Sequence, residues 1–322
     1  MKATFRSRYG GPEVLSVKEL KMPALRPHEL LVSVHTTTVN RTDCGVLRGS
    51  PFIFRFFTGL FRPRYASTGT DFAGVVEAVG HKVSRFKAGD RVFGFNDTGW
   101  GSHSAYFTVP ENGPVTHIPD SISFETAAAS AEGAHYAWNY IRKTGMKAGD
   151  KVMVYGATGA IGSAAIQILK QHTGATVTAV CNTKNLERIK ALGPDRVIDY
   201  EKEDFTAGGE QYHFILDAVG KSSFGICKKL LLPGGKYMSS ELGPGNQNLY
   251  LPLTTRFSKK RMVFPLPSDI KNSLSLMKGL LAAGKFSPLT DRSYPLEQIA
   301  DAFAYVSSGR KTGNVLLRVK EK

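Results

Sequence analysis

Seven consecutive residues, Gly156-Ala157-Thr158-Gly159-Ala160-Ile161-Gly162, carry the clearest chemistry in this chain. A turn of this kind, set between an apolar strand and an apolar-faced helix, brings backbone N–H groups and a helix N-terminus against a phosphate. Glycine is needed because a Cβ would block the close approach of a pyrophosphate, and of helix to strand. The flanks fit, with VMVY before the turn and SAAIQILK after it. The stretch predicts a dinucleotide site.

A second patch bears on which dinucleotide. The next strand ends at Cys181 and runs into Asn182, Thr183 and Lys184. A site that selects NAD places a carboxylate near this strand end, to accept from the adenosine ribose. A carboxylate would repel a 2′-phosphate, whereas two neutral hydrogen-bonding side chains and a cation would bind it. NADPH is therefore expected over NADH. Asn182 and Thr183 also suit a helix cap, and capping and phosphate binding can coexist. Tyr200, after RVID, either flanks the adenosine or packs as an ordinary strand-end aromatic.

Two further groups could act on a substrate. Asn40 carries an amide able to donate to a substrate oxygen or to hold a ribose; the alternative is a turn residue satisfied by backbone. Asp43 beside it either orients other groups or caps a helix. Glu132 and His135 stand at i, i+3 on one predicted helical face. They form a proton relay with His135 as acid, or a polar pair at the domain interface; a metal site with Asp71 is a weaker option.

The elements that must position these groups fall into two patterns. Residues 30–39, 74–79, 91–95 and 103–109 read as strands bracketed by glycine and turn residues. Ser123 caps a helix through the alanine-rich run that follows. From there strands (151–155, 176–180, 196–198, 214–218, 235–239) alternate with helices (163–170, 186–192, 223–231), as in a doubly wound parallel sheet. Helices at 273–283 and 296–307 and a strand at 314–319 complete the chain.

Composition bounds the rest. The length of 322 residues suits two domains, and 42% hydrophobic residues is ordinary for a globular protein. No apolar run is long enough to span a bilayer, and the N-terminus lacks a secretory segment, so a cytoplasmic setting is expected. Cys44, Cys181 and Cys227 are too few and too far apart for a disulfide framework. The formal charge of +15 attracts anions. The basic residues are dispersed and no nucleic-acid motif stands out, so no nucleic acid is expected as partner. One stretch is distinctive: 51–65, PFIFRFFTGLFRPRY, holds five phenylalanines, three arginines and no acid. It is an apolar lid for a lipophilic acceptor, a weak membrane-surface contact, or ordinary core packing.

The chain resembles the medium-chain dehydrogenase/reductase superfamily, and within it the zinc-free quinone oxidoreductase (ζ-crystallin-like) and alkenal reductase branch. The resemblance rests on GGPEVL at 10–15, VNRTDCGVLRG at 39–49, GTDFAGVVEAVG at 69–80 and FKAGDRVFGF at 86–95. It continues with AGDKVMVYGATGAIGSAAIQ at 148–167, ALGPDRVIDY at 191–200, LDAVG at 216–220, LLPGGKY at 231–237 and GRKTGNVLL at 309–317. It implies an α/β fold, with a GroES-like β-rich catalytic domain (1–122 and 285–322) around a Rossmann doubly wound parallel-sheet domain (123–284). By motif alignment, the places of the catalytic zinc ligands hold Asn40, Thr70 and, less directly, Ser130. Amide and hydroxyl groups are poor zinc ligands, so no metal is expected. The activity implied is NADPH-dependent hydride transfer to a lipophilic quinone or α,β-unsaturated carbonyl. Alternatives are an enoyl-thioester reductase and a non-catalytic NADPH-binding protein. Analogy with the superfamily implies a homodimer or a monomer.

Overall fold

The computed structural model describes residues 1–52, 54–97, 99, 101–239 and 241–320; the side chains of Phe54, Phe57 and Pro244 are outside that description. The chain divides into two compact units, Met1–Glu132 with Asp269–Lys322, and Gly133–Ser268.

The first unit is built on a seven-stranded sheet. Its order is Thr290–Pro295, Asn314–Arg318, Glu29–Val39, Asp71–Val79, Arg91–Phe95, Val115–His117, with Tyr106–Pro110 also paired to Glu29–Val39. Alternation of Leu30, Val32 and Val34 puts one set of side chains inward, where they pack with Phe72, Val76, Val92 and Phe107. A second core joins the two ends of the chain. Leu15, Val39 and Leu47 pack against Ile299, Phe303 and Val306 of the helix Ile299–Ser307. The helix Arg41–Arg48, which the sequence signalled only through a candidate cap at Asp43, begins on a capping box and ends at Gly49.

The second unit holds a six-stranded, all-parallel sheet. Its order is Arg196–Asp199, Thr176–Cys181, Lys151–Tyr155, Tyr212–Asp217, Leu231–Ser239, Arg261–Val263. In chain order that reads 3-2-1-4-5-6, the doubly wound arrangement that the strand–helix alternation predicts. The order reverses between Lys151–Tyr155 and Tyr212–Asp217. Ligands of such sheets bind beyond the carboxyl ends of strands at a reversal of this kind.

Two expectations need adjustment. The run after Ser123 forms two helices rather than one, Phe124–Ala129 and Glu132–Thr144. Ser123 caps the first as predicted, its Oγ accepting from Thr126 N at 3.1 Å. Ser130 then turns its hydroxyl back onto Thr126 O, a competing bond that loosens a helix end. The units also divide at 132/133 and 268/269, where the sequence placed the boundaries at 122/123 and 284/285. Phe124–Ala129 packs on strands of the first sheet, and Ile270–Ala282 packs against Val115–His117. The change of hydrophobic period marks where helices begin, not which sheet they cover. Among the described residues no helix is long and apolar enough to cross a membrane.

Candidate functional site

In the second unit, Lys151–Tyr155 runs directly into the glycine turn. Gly156 has φ +82°, a conformation that L side chains rarely adopt. Ala157 N donates to Val180 O at 3.1 Å, tying the turn to the neighbouring strand. Gly159 caps the helix Ala160–Ile168 and brings no side chain to bond its first amides. A Cβ on Gly162 would collide with the carbonyl oxygen of Gly156. Turn and helix therefore meet with no side chain between them; Gly159 N donates to Gly156 O at 3.1 Å, and Ala160 and Ile161 are left to offer main-chain donors. Thr158 and Ile161 are partly exposed within this cradle.

The adjacent strand ends on Asp217, a residue that the sequence reading did not single out beyond its LDAVG motif. This fully buried carboxylate accepts from Val219 N (3.1 Å), Gly220 N (2.7 Å), Ser222 N (2.9 Å) and Tyr237 Oη (3.0 Å). Four donors hold the loop after the strand in one shape, and the side chain of Val219 lies against Gly156. The signal for Asp217 was an acid at the end of an apolar strand, followed by a glycine.

Asn182, Thr183, Lys184 and Tyr200 do come together, at the ends of Thr176–Cys181 and Arg196–Asp199. Asn182 caps the short turn Thr183–Asn185, and its Oδ1 accepts from Asn185 Nδ2 at 2.7 Å. Lys184 is exposed and Tyr200 is half-exposed. Two acids missed in the sequence share this place. Thr183 Oγ1 donates to Asp199 Oδ2 at 2.6 Å, and Thr183 N to Glu201 Oε2 at 3.0 Å. Cys181 is buried, and burial pushes its thiol up to about 11.

In the first unit a buried polar cluster surrounds Asn40. Its Oδ1 accepts from Asp43 N (2.9 Å) while Asp43 Oδ2 accepts from Asn40 N (3.0 Å), the reciprocal bonds of a capping box. Asn40 Nδ2 donates to Thr70 Oγ1 at 2.9 Å. Asp71 accepts from Thr38 N (2.8 Å), Thr38 Oγ1 (2.5 Å) and Thr37 Oγ1 (3.0 Å). Burial still outweighs those donors and raises Asp71 to about 6. Burial, reinforced by the charge of Asp71, also holds Asp43 well above the usual carboxylate range. Glu132 Oε1 accepts from Thr42 Oγ1 at 2.5 Å. Burial raises Glu132 strongly; Asp43 and Asp71 add to the effect, and Thr42 and Lys311 oppose it. The Lys311 ammonium is lowered by burial and donates to Gly313 O at 2.7 Å. Thr42 and Lys311 carried no sequence signal, because their partner is remote in the chain.

His135 lies on the same helix as Glu132 and is fully buried, its ring 5.5 Å from that of Tyr136. Among the described residues, no group of three or more His, Cys, Asp and Glu side chains could hold a metal ion.

Two family profiles match this chain. Residues 26–120 match an alcohol dehydrogenase GroES-like domain, and residues 192–317 match a zinc-binding dehydrogenase domain. A 2-methylene-furan-3-one reductase from Solanum lycopersicum is 29% identical over 98% of this chain and 79% of its own length. An NADPH-dependent alkenal/one oxidoreductase from Arabidopsis thaliana is 28% identical over the same shares. Among solved structures, the quinone oxidoreductase of Coxiella burnetii superposes with a TM-score of 0.86 at 25% identity, covering 99% of both chains. The chain belongs to the medium-chain dehydrogenase/reductase superfamily, on its quinone and alkenal oxidoreductase branch.

As a medium-chain reductase it departs from the zinc enzymes at the ligand positions. Asn40 and Thr70, two of the three aligned places, are hydrogen-bonded to each other. Ser130, the third, spends its hydroxyl on Thr126 O. Neutral amide and hydroxyl groups engaged in this way do not fit a zinc ion, which takes thiolate, imidazole or carboxylate. The 51–65 segment carries a short helix, Phe54–Thr58. Phe52, Phe56 and Tyr65 are exposed and Phe61 is 88% exposed, so these rings are not core; Ile53 lies outside the described residues.

Proposed function

We propose that this medium-chain reductase uses NADPH to reduce quinones or α,β-unsaturated carbonyls without a metal. The observation that carries the reading is the uncapped glycine cradle, set where the order of the parallel sheet reverses. NADPH supplies the hydride. The protein's part is to bind, orient and manage charge. Main-chain donors at Ala160 and Ile161 take the pyrophosphate, and Asn182, Thr183 and Lys184 take the 2′-phosphate. Hydride addition to an enone or quinone leaves negative charge on an oxygen. Asn40 Nδ2, which donates to Thr70 and also bears on the Asp71 carboxylate, is the donor proposed for that oxygen, the substrate drawing it away from Asp71. A proton must follow the hydride to complete the saturated carbonyl or hydroquinone. Glu132, whose carboxyl burial raises well above the usual carboxylate range, and His135 are its proposed source.

The substrate class is supported by the relatives, named as quinone, alkenal/one and furanone reductases. The test follows NADPH absorbance with a short alkenal, an enone and a naphthoquinone, before and after chelation. Turnover that survives chelation is expected. Loss of turnover with removal of stoichiometric zinc overturns the reading. In Glu132→Gln or His135→Gln, the alkaline limb of enone reduction should move or flatten. An unchanged pH profile in both removes the proton role.

The segment 51–65 supports a second, separate contact. Four exposed aromatic rings lie among Arg55, Arg62 and Arg64 with no acid. This is the composition of a patch that seats at an anionic lipid surface. Co-sedimentation with phosphatidylserine vesicles at low salt is expected, and its absence removes this contact. A cytoplasmic location belongs to the same proposal.

A further inference from the structure

Both donors of Thr183 are already held by carboxylates. Asp199 is buried and takes the hydroxyl at 2.6 Å, while its other oxygen accepts from Glu201 N at 3.1 Å. It is a fixed part of the turn. Glu201 is exposed and reaches back to the Thr183 amide at 3.0 Å. The acid missing from the end of Thr176–Cys181 is thus replaced from the next turn of the chain. A cofactor phosphate seeking the Thr183 N–H meets a negative charge sitting on it, within a site otherwise offering Asn182 and Lys184.

We propose that Glu201 is a specificity-determining residue, competing with the cofactor's 2′-phosphate for the Thr183 amide and keeping the preference for NADPH lower than the rest of the site would set it. The proposal rests on the NADPH reading above. Binding of the phosphorylated cofactor swings Glu201 outward. The exposed side chain can move without disturbing the core, while Asp199 stays in place. A 2′-hydroxyl carries no charge and does not require the displacement. One side chain therefore weighs against one of the two cofactors and leaves the other almost untouched.

The effect is read by calorimetric titration of NADP+, NAD+ and 2′,5′-ADP, with no turnover involved. Glu201→Gln keeps an acceptor for Thr183 and removes the charge. It should tighten NADP+ and 2′,5′-ADP about tenfold, as removal of one adjacent like charge allows, and leave NAD+ within about twofold. Glu201→Ala should move NADP+ in the same direction. Unchanged or weaker NADP+ binding in Glu201→Gln overturns the proposal, as does an equal shift for both dinucleotides, which would mark a merely structural loop residue. Lys184→Ala separates the two readings. If it weakens NADP+ but not NAD+, the 2′-phosphate site stands whatever Glu201 does. If it changes neither, and the wild type does not distinguish the cofactors, the NADPH reading itself fails.

Discussion

Asp71 and His103 grip the same residue from opposite ends. Asp71 accepts from Thr38 N, and His103 Nε2 donates to Thr38 O at 2.8 Å. Since a carbonyl can only accept, Nε2 carries the hydrogen and Nδ1 accepts from Thr68 Oγ1, also at 2.8 Å. Burial lowers His103 to about 4 and raises Asp71 to about 6. The two act on stability with opposite sign. Between about 3.8 and 6 the folded Asp71 keeps a proton that the unfolded chain has lost, so stability falls as pH rises. Between about 4 and 6.5 the unfolded His103 holds a proton that the folded one refuses, so stability rises with pH. Each slope is at most about 1.4 kcal/mol per pH unit, and they offset. Urea midpoints taken across this range should rise more steeply with pH in Asp71→Asn and fall with pH in His103→Gln. At this scale the sequence was uneven. Asn40 was legible as a polar residue near a helix start. Its tie to Thr70 and the burial of Asp71 depend on strand pairing that no local pattern displays. His103 looked like one more strand residue.

Single elements show where local pattern suffices. The Ser123 cap was legible because it needs only its own first turn. The break at Ser130–Ala131 was not, since it reflects which sheet each helix covers. Gly133 shows the same limit: it opens onto Ala160 so closely that an added Cβ would strike that residue's carbonyl and side chain. Gly133→Val should destabilise by about 1–3 kcal/mol, the usual cost of overpacking, measured by thermal or urea unfolding. Gly162→Val should weaken NADP+ binding at least about tenfold by calorimetry, because the added side chain separates the helix from its turn. In the second unit, a parallel doubly wound sheet followed from the alternation of strands and helices, while its strand order came from the structure. The paired strands Lys2–Phe5 and Ser16–Glu19 escaped notice, being short and mostly polar.

The whole molecule carries +15, and this excess has a functional side. A polyanionic cofactor is drawn by long-range field as well as by local donors. The KM for NADPH should rise several-fold between about 50 and about 300 mM salt, with kcat little changed, as screening shortens that field. Insensitivity to salt would confine recognition to the immediate contacts. Two units and their character were readable from the switch in hydrophobic period. Their borders were not, because the helices Phe124–Ala129 and Ile270–Ala282 belong to the sheet that they cover rather than to the run in which they occur.

The strand Asn314–Arg318 lies between Thr290–Pro295 and Glu29–Val39. During synthesis the ribosome delivers it last of the three. Gly133–Ser268 is one unbroken stretch and can close as soon as it clears the exit tunnel. The earlier-made part must wait with the Thr36–Val39 end of one strand edge uncovered until nearly two hundred further residues have emerged. For this nascent chain, the half that is translated first is the half that finishes last.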